Sequence, residues 1–304
     1  MLAPLCAAGP QRQMSLRIDI GLLRFMRART DETHVLNPAG AARVNAAPDL
    51  SGRLVTAAIN VRTIWSSSGG SVADRERPAL EPACAAYRSV SQELAAFDPG
   101  TLRTREQRLA FWINVYNALA VDAVIAFAVQ ESIREQPGFF RRAAYEVGGQ
   151  RISAEAIEHG ILRDNQPPLP RLDPPFGPDD PRRRLCVSPP DPRAHFALNC
   201  ATLSCPTLRV YSAECIGEEL DDAARDFIRG GGVSVESDQV RVPALFQLYA
   251  DDFGGPEGIA RWITRYVPDT EEAELVRDAF ARGTAVYEPY DWHLDRQDGL
   301  AEDP

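Results

Sequence analysis

Between residues 104 and 129 the chain is apolar at almost every position, which limits what the remainder can be. Leu109, Phe111, Trp112, Val115, Tyr116, Leu119, Val121, Val124, Ile125 and Phe127 fall on all sides of a 3.6-residue period. The spacing predicts a long helix with no face for water, one that other elements must wrap. Its polar exceptions are Asn114, Asn117 and Asp122. Asn114 and Asn117 stand three apart, on one side. A buried amide without partners costs about 1–3 kcal/mol. Both are therefore expected to hold something, either a neighbouring loop or a substrate in a cavity beside the helix.

The chain has 304 residues, enough for a sizeable core, and a net charge of −10. That balance argues against a general nucleic-acid binder. Six cysteines in this length make no disulfide framework. The first 14 residues lack the basic start and apolar middle of a signal peptide. No uncharged apolar run approaches the ~18–20 residues of a membrane span, and the nearest, 118–129, carries Asp122. These features lead us to expect a cytoplasmic protein with reduced thiols, acting on a small-molecule or peptide substrate, with no nucleic acid and no membrane.

In chain order, residues 15–29 mix strand alternation with helix spacing, and a helix is expected over their second half. Residues 51–64 alternate without a clear anchor, and Trp65-Ser-Ser-Ser-Gly-Gly reads as a loop. Residues 80–96 have helical spacing. Tyr145-Glu-Val-Gly-Gly-Gln-Arg-Ile reads as a hairpin. Ser153 is placed to cap a helix over 154–163 that carries Glu158, His159 and Arg163. Residues 164–193 are rich in proline and aspartate and read as a surface loop. Helices are expected over 212–229, 243–253, 257–266 and 270–282, with a second hairpin over 233–242 and an aromatic arm at the end. We expect a 1–75 N-terminal extension, a main domain over 76–297 and a 298–304 tail.

The chemistry concentrates in Asp191-Pro-Arg-Ala-His-Phe-Ala-Leu-Asn-Cys-Ala-Thr-Leu-Ser-Cys-Pro, which holds one of four histidines and two of six cysteines. Residues 195–200 read as a buried strand by length and flanks. A regular strand would put His195, Ala197 and Asn199 on one face and Cys200 on the other.

Several motifs, in order, resemble domain-of-unknown-function family 547. They are Phe111-Trp-Ile-Asn-Val-Tyr-Asn-Ala-Leu, Ile157-Glu-His-Gly-Ile-Leu-Arg, the Asp191 stretch, Ser204-Cys-Pro-Thr-Leu, Tyr249-Ala-Asp-Asp-Phe and Tyr290-Asp-Trp. The resemblance spans about residues 80–295. It departs at Pro243, where the family often has Ser, and at Asn199, where it has a less polar residue. It implies an α+β fold, mostly helical, with a small antiparallel sheet around a long buried helix. That arrangement is reminiscent of papain- and transglutaminase-like folds. The family name carries no reaction.

The residues themselves suggest thiol chemistry. A cysteine nucleophile needs a depressed pKa and a base, with a third group to orient the base. Cys205 or Cys200 is the candidate nucleophile, His195 the base and Glu158 the orienting group. Asn114, Tyr116, Asn117, Arg163 and Asn199 are candidates for substrate binding. Cys205 is favoured because Ser-Cys-Pro is a turn. The product would be a hydrolase, or an acyl transferase or cyclase, working on an amide or acyl bond without a cofactor. Three alternatives stand beside it. One is general acid–base work by His195, Glu158 and Arg163 without cysteine. Another is zinc held by His195, Cys200 and Cys205. The last is a packing signature in a protein-binding or scaffold domain.

Overall fold

Three helices frame the larger of two cores. α1 (Leu50–Ser67) and α2 (Leu80–Glu93) pack with each other, and α1 lies along α3 (Arg105–Ala126). The computed structural model describes residues 25, 33–37, 49–67, 80–169, 172–236 and 239–296. The helix expected in residues 15–29 lies outside these, apart from Phe25. α3 starts with a reciprocal cap: Gln107 N–H donates to Thr104 Oγ1 and Thr104 N–H to Gln107 Oε1. It is long and apolar enough to cross a membrane, yet Trp112, Ile113, Val115, Ala118 and Leu119 are fully buried against neighbouring elements.

Residues 51–64 are helical, where alternation without an anchor had been read. Leu50, Leu54, Ala58, Val61 and Trp65 make one buried stripe. Asp49 caps α1 by accepting from Gly52 N–H at 3.2 Å. Trp65 is thus the last core contact of α1 rather than the start of a loop. The leucines and Val61 of this stripe each contribute about 1.5–3 kcal/mol of burial.

Two three-stranded sheets flank the helices. In the first, β1 (His34–Val35) runs parallel to β2 (Ala143–Val147), and β2 pairs antiparallel with β3 (Gln150–Ser153). In the second, β4 (Ser234–Glu236) and β5 (Gln239–Pro243) form the expected hairpin. β6 (Val286–Glu288) joins β5 in parallel. The α+β, mostly helical class holds, with two mixed sheets in place of one antiparallel sheet. The β2–β3 turn uses Gly148 at φ +58°, where a Cβ would meet Phe97 O at 2.6 Å. Gly148→Ala therefore loses about 1–3 kcal/mol by urea unfolding. A loss within experimental error would show that this turn relaxes freely.

The segment after Ser153 is a wide π-helical stretch, α4 (Ala156–Leu162), whose bonds extend into its exit: Arg163 N–H reaches Glu158 O, and Asn165 N–H reaches Gly160 O. α5 (Ile216–Phe227), α6 (Ala244–Leu248), α7 (Gly255–Tyr266) and α8 (Thr270–Arg282) complete the chain. α8 packs on the second sheet and α7 packs on α8, around a smaller core that includes Phe246, Phe253, Ile259, Ile263 and Val276.

Residues 195–200 are not a strand. Asp191 caps Arg193 N–H at 3.1 Å, Pro192 supplies the next φ, and Pro192–Phe196 forms a 3₁₀ turn. Asp-Pro is a helix-start signature that outweighs a six-residue apolar run. The turn lies where the two cores meet. Phe196 enters the smaller core, while Ala194, Ala197 and Leu198 enter the larger.

Irregular backbone here is paired by asparagine amides. Asn37 exchanges bonds with Glu146 N–H and O, Asn165 with Phe176, and Asn114 with Tyr211. Asn117 donates to Ala197 O at 3.0 Å and accepts from Asn199 N–H at 2.8 Å. Each amide stands in for the neighbouring strand that the segment lacks.

Candidate active site

α4, the 3₁₀ turn and the loop after α6 bring Glu158, His159, His195 and Tyr249 to one small cavity, about 70 Å³. Tyr116 from α3, Leu198, Cys200, Tyr290 and Trp292 close its other sides. His195 and Cys200 therefore share a cavity, because the turn does not alternate as a strand would.

Glu158 is buried and accepts from Tyr116 OH at 3.0 Å and from Tyr249 OH at 2.5 Å. Burial works against its ionisation. The nearby His159, the Tyr249 hydroxyl and His195 outweigh that and hold its pKa below the ordinary carboxylate value. Burial pushes His159 down to about 4, so it stands neutral at pH 7.

Glu158 does not orient His195. His195 Nε2 lies 2.8 Å from Asp252 Oδ2, and the ring stacks on Tyr249 with centroids 3.8 Å apart. Arg163 holds Asp252 from the other side with Nε and Nη2 at 2.5 and 2.9 Å, and its Nη1 reaches His159 Nδ1 and Pro167 O. Burial opposes the charge on Asp252, but bonds from His195 and Arg163 dominate and hold it well below the usual carboxylate range. Arg163, expected among the substrate-binding residues, does not line the cavity, and its guanidinium is committed to Asp252, His159 and Pro167 O. No hydrogen bond joins His195 to either sulfur among the described residues, so the direct His–Cys pair is absent.

The thiols form a cluster of their own. Cys205 Sγ lies 3.0 Å from Cys200 N–H's nitrogen, 3.0 Å from Cys200 Sγ, 3.2 Å from Thr202 Oγ1 and 3.2 Å from Tyr290 OH. Burial would raise the Cys205 thiol, yet donation from Cys200, Thr202 and Tyr290 brings it down to about 6. Cys200 moves the opposite way, raised by its bond to Cys205 and by burial. Cys205 is half-buried and lines a second, larger cleft of about 380 Å³ with Arg209, Asp226 and the Gly230–Gly232 bend. Pro206, Leu245 and Tyr290 form the wall between that cleft and the inner cavity.

Asn114, Asn117 and Asn199 line neither space, contrary to the expected substrate contacts. Asn199 braces the thiol loop by donating to Pro206 O at 2.6 Å and accepting from Ala201 N–H at 2.8 Å. Tyr116 does line the inner cavity, with its hydroxyl committed to Glu158. His195, Cys200 and Cys205 do not converge as a ligand set. Among the described residues, no group of three or more His, Cys, Asp or Glu side chains is arranged to hold a metal ion. Asp252, Tyr249, Thr202 and Tyr290 were assigned no role from sequence. The signal for Tyr249, Asp252 and Tyr290 lay in the Tyr249-Ala-Asp-Asp-Phe and Tyr290-Asp-Trp motifs, which had been used only to support the resemblance, and Thr202 lay within the Asp191 stretch itself.

No curated protein and no solved structure matches the chain. A family model does match, and its stretch includes Asn114, Glu158, Arg163, His195, Cys200 and Cys205 while Tyr249, Asp252 and Tyr290 fall beyond it. Residues 100–228 match the model of the family described as "Protein of unknown function, DUF547", so over that segment the chain is similar to that family.

Proposed function

We propose that the chain is a thiol-dependent enzyme that acts on an acyl or amide bond of a small molecule or peptide, as a hydrolase or acyl transferase. Cys205 is the nucleophile and His195 the acid–base group. The observation that carries this reading is the ring of donors on Cys205 Sγ, at the edge of an open cleft and one wall from the cavity that His195 lines.

Neutral donors rather than an imidazolium stabilise the thiolate. When Sγ attacks a carbonyl carbon, charge passes from sulfur to the carbonyl oxygen. Cys200 N–H, Thr202 OH and Tyr290 OH lose their acceptor at that moment and are free to follow the charge. In this reading the leaving group reaches past Pro206, Leu245 and Tyr290 to the inner cavity, where His195, held by Asp252, gives it a proton and later takes one from the water or acceptor that attacks the thioester. A second reading, acid–base chemistry without sulfur, draws on the Glu158–Tyr116–Tyr249 group in the inner cavity. It requires Cys205→Ser to keep activity.

The test is alkylation by iodoacetamide against pH, mapped by mass spectrometry. Deprotonation activates the thiol, so labelling of Cys205 rises through about pH 6 and levels off above it. Cys200 stays unlabelled over the same range. A hydrogen bond to a charged group contributes about 1.5–3 kcal/mol. Tyr290→Phe therefore moves the Cys205 midpoint up by about one to two pH units. Incubation with p-nitrophenyl acetate should leave one acetyl group on Cys205, and His195→Gln should slow its hydrolysis. A Cys205 midpoint equal to that of exposed Cys215, with no acetyl-enzyme, would sink the proposal.

A further inference from the structure

We propose that Cys200 and Cys205 are a reversible dithiol–disulfide pair. Cys205 meets the oxidant, hydrogen peroxide, through the outer cleft, and Cys200 resolves the product. The inference shares a residue with the acyl-transfer reading but does not rest on it, since the disulfide can be read with no substrate present.

Three observations carry it. The sulfurs of these two free cysteines are 3.0 Å apart. A disulfide bond of about 2.05 Å requires the two sulfurs to approach by about one ångström. The two thiols also differ in access. Cys205 is half-buried and borders the cleft, whereas Cys200 is 6 % exposed and borders the inner cavity. Finally, the loop between them is held ready. Cys205 N–H bonds Thr202 O, Asn199 bonds Pro206 O and Ala201 N–H, and Cys200 N–H bonds Cys205 Sγ.

The chemistry runs in two balanced steps. The Cys205 thiolate attacks one peroxide oxygen. The O–O bond breaks, and hydroxide leaves and takes a proton, giving sulfenic acid and water. Cys200 sulfur then attacks Cys205 sulfur. The S–O bond breaks, the Cys200 proton leaves with the hydroxyl as a second water, and the disulfide forms. Two thiols are oxidised by two electrons and one peroxide is reduced. An external dithiol reverses the reaction by exchange. The disulfide removes the Cys205 thiolate, so it would also halt any reaction that uses it.

The full chain reports directly, because trypsin releases residues 194–209 as one peptide holding both cysteines. After brief peroxide treatment of the folded chain and alkylation in denaturant, where both thiols are accessible, that peptide should carry no alkyl groups and lack two hydrogens. It should take two alkyl groups again after dithiothreitol. Its oxidation at pH 7 should outpace that of exposed Cys215 by at least ~10-fold, as a stabilised thiolate does. In denaturant that lead should vanish. In Cys200→Ser, dimedone should trap the Cys205 sulfenic acid, which identifies the attacking sulfur even if the serine variant is less stable. The proposal is overturned if the wild-type peptide keeps two alkylatable thiols under these conditions. It is equally overturned if Cys205 goes to sulfinic acid with Cys200 still free.

Discussion

Replacing Arg163 by methionine lowers the unfolding free energy by about 3–5 kcal/mol, the usual cost of removing one partner from a buried ion pair. Arg163 is 8 % exposed and places two donors on Asp252, a third on His159 and a contact on Pro167 O. Methionine keeps much of the apolar stem, so the loss reflects the stranded carboxylate rather than a cavity. Urea denaturation measures it. A double variant with Asp252→Asn should lose less than the sum of the two single variants, because no uncompensated charge stays inside. Asp252 also fixes His195 Nε2 at 2.8 Å. The single variant should therefore slow acetyl-enzyme hydrolysis while leaving the Cys205 alkylation midpoint in place. A stability loss under about 1 kcal/mol, the range of an exposed pair, would show that water reaches this cluster.

Asn117→Ala should cost about 2–6 kcal/mol, since it orphans two buried backbone groups at about 1–3 kcal/mol each. Those groups are Ala197 O and Asn199 N–H, both at positions closed to solvent. The effect is also directional. Asn117 pins the segment that enters the thiol loop, so its loss should make Cys200 alkylatable in the folded protein. Asn114→Ala removes a comparable pair of bonds, but to Tyr211, beyond that loop. It should destabilise to a similar degree and leave Cys200 protected. Equal exposure of Cys200 in both variants would mean that the amide does not hold the loop locally.

These two residues mark where sequence reading stops. Periodicity identified α3 and required its asparagines to be paired, because an all-apolar helix has no other place than the interior. It could not say with what. The partners lie 80 and 97 residues away along the chain at Ala197 and Tyr211, a separation no local pattern encodes. The β2–β3 hairpin was legible from Gly148-Gly149, and the 80–96 helix from its stripe. The 195–200 strand was misread because a six-residue apolar run suits either structure, and the Asp191-Pro192 cap decided between them.

By itself, the sequence determined the wrapped helix, the mostly helical α+β class and the concentration of His195, Cys200 and Cys205 in one stretch. Hydrophobic spacing and turn chemistry are local and survive in one dimension. The tertiary structure decided the partners. It gave His195 to Asp252, Glu158 to two tyrosines, and Cys205 to Thr202, Tyr290 and Cys200. Those assignments depend on where separate elements dock and on which buried polar groups must satisfy one another, so they exist only once the two cores are packed.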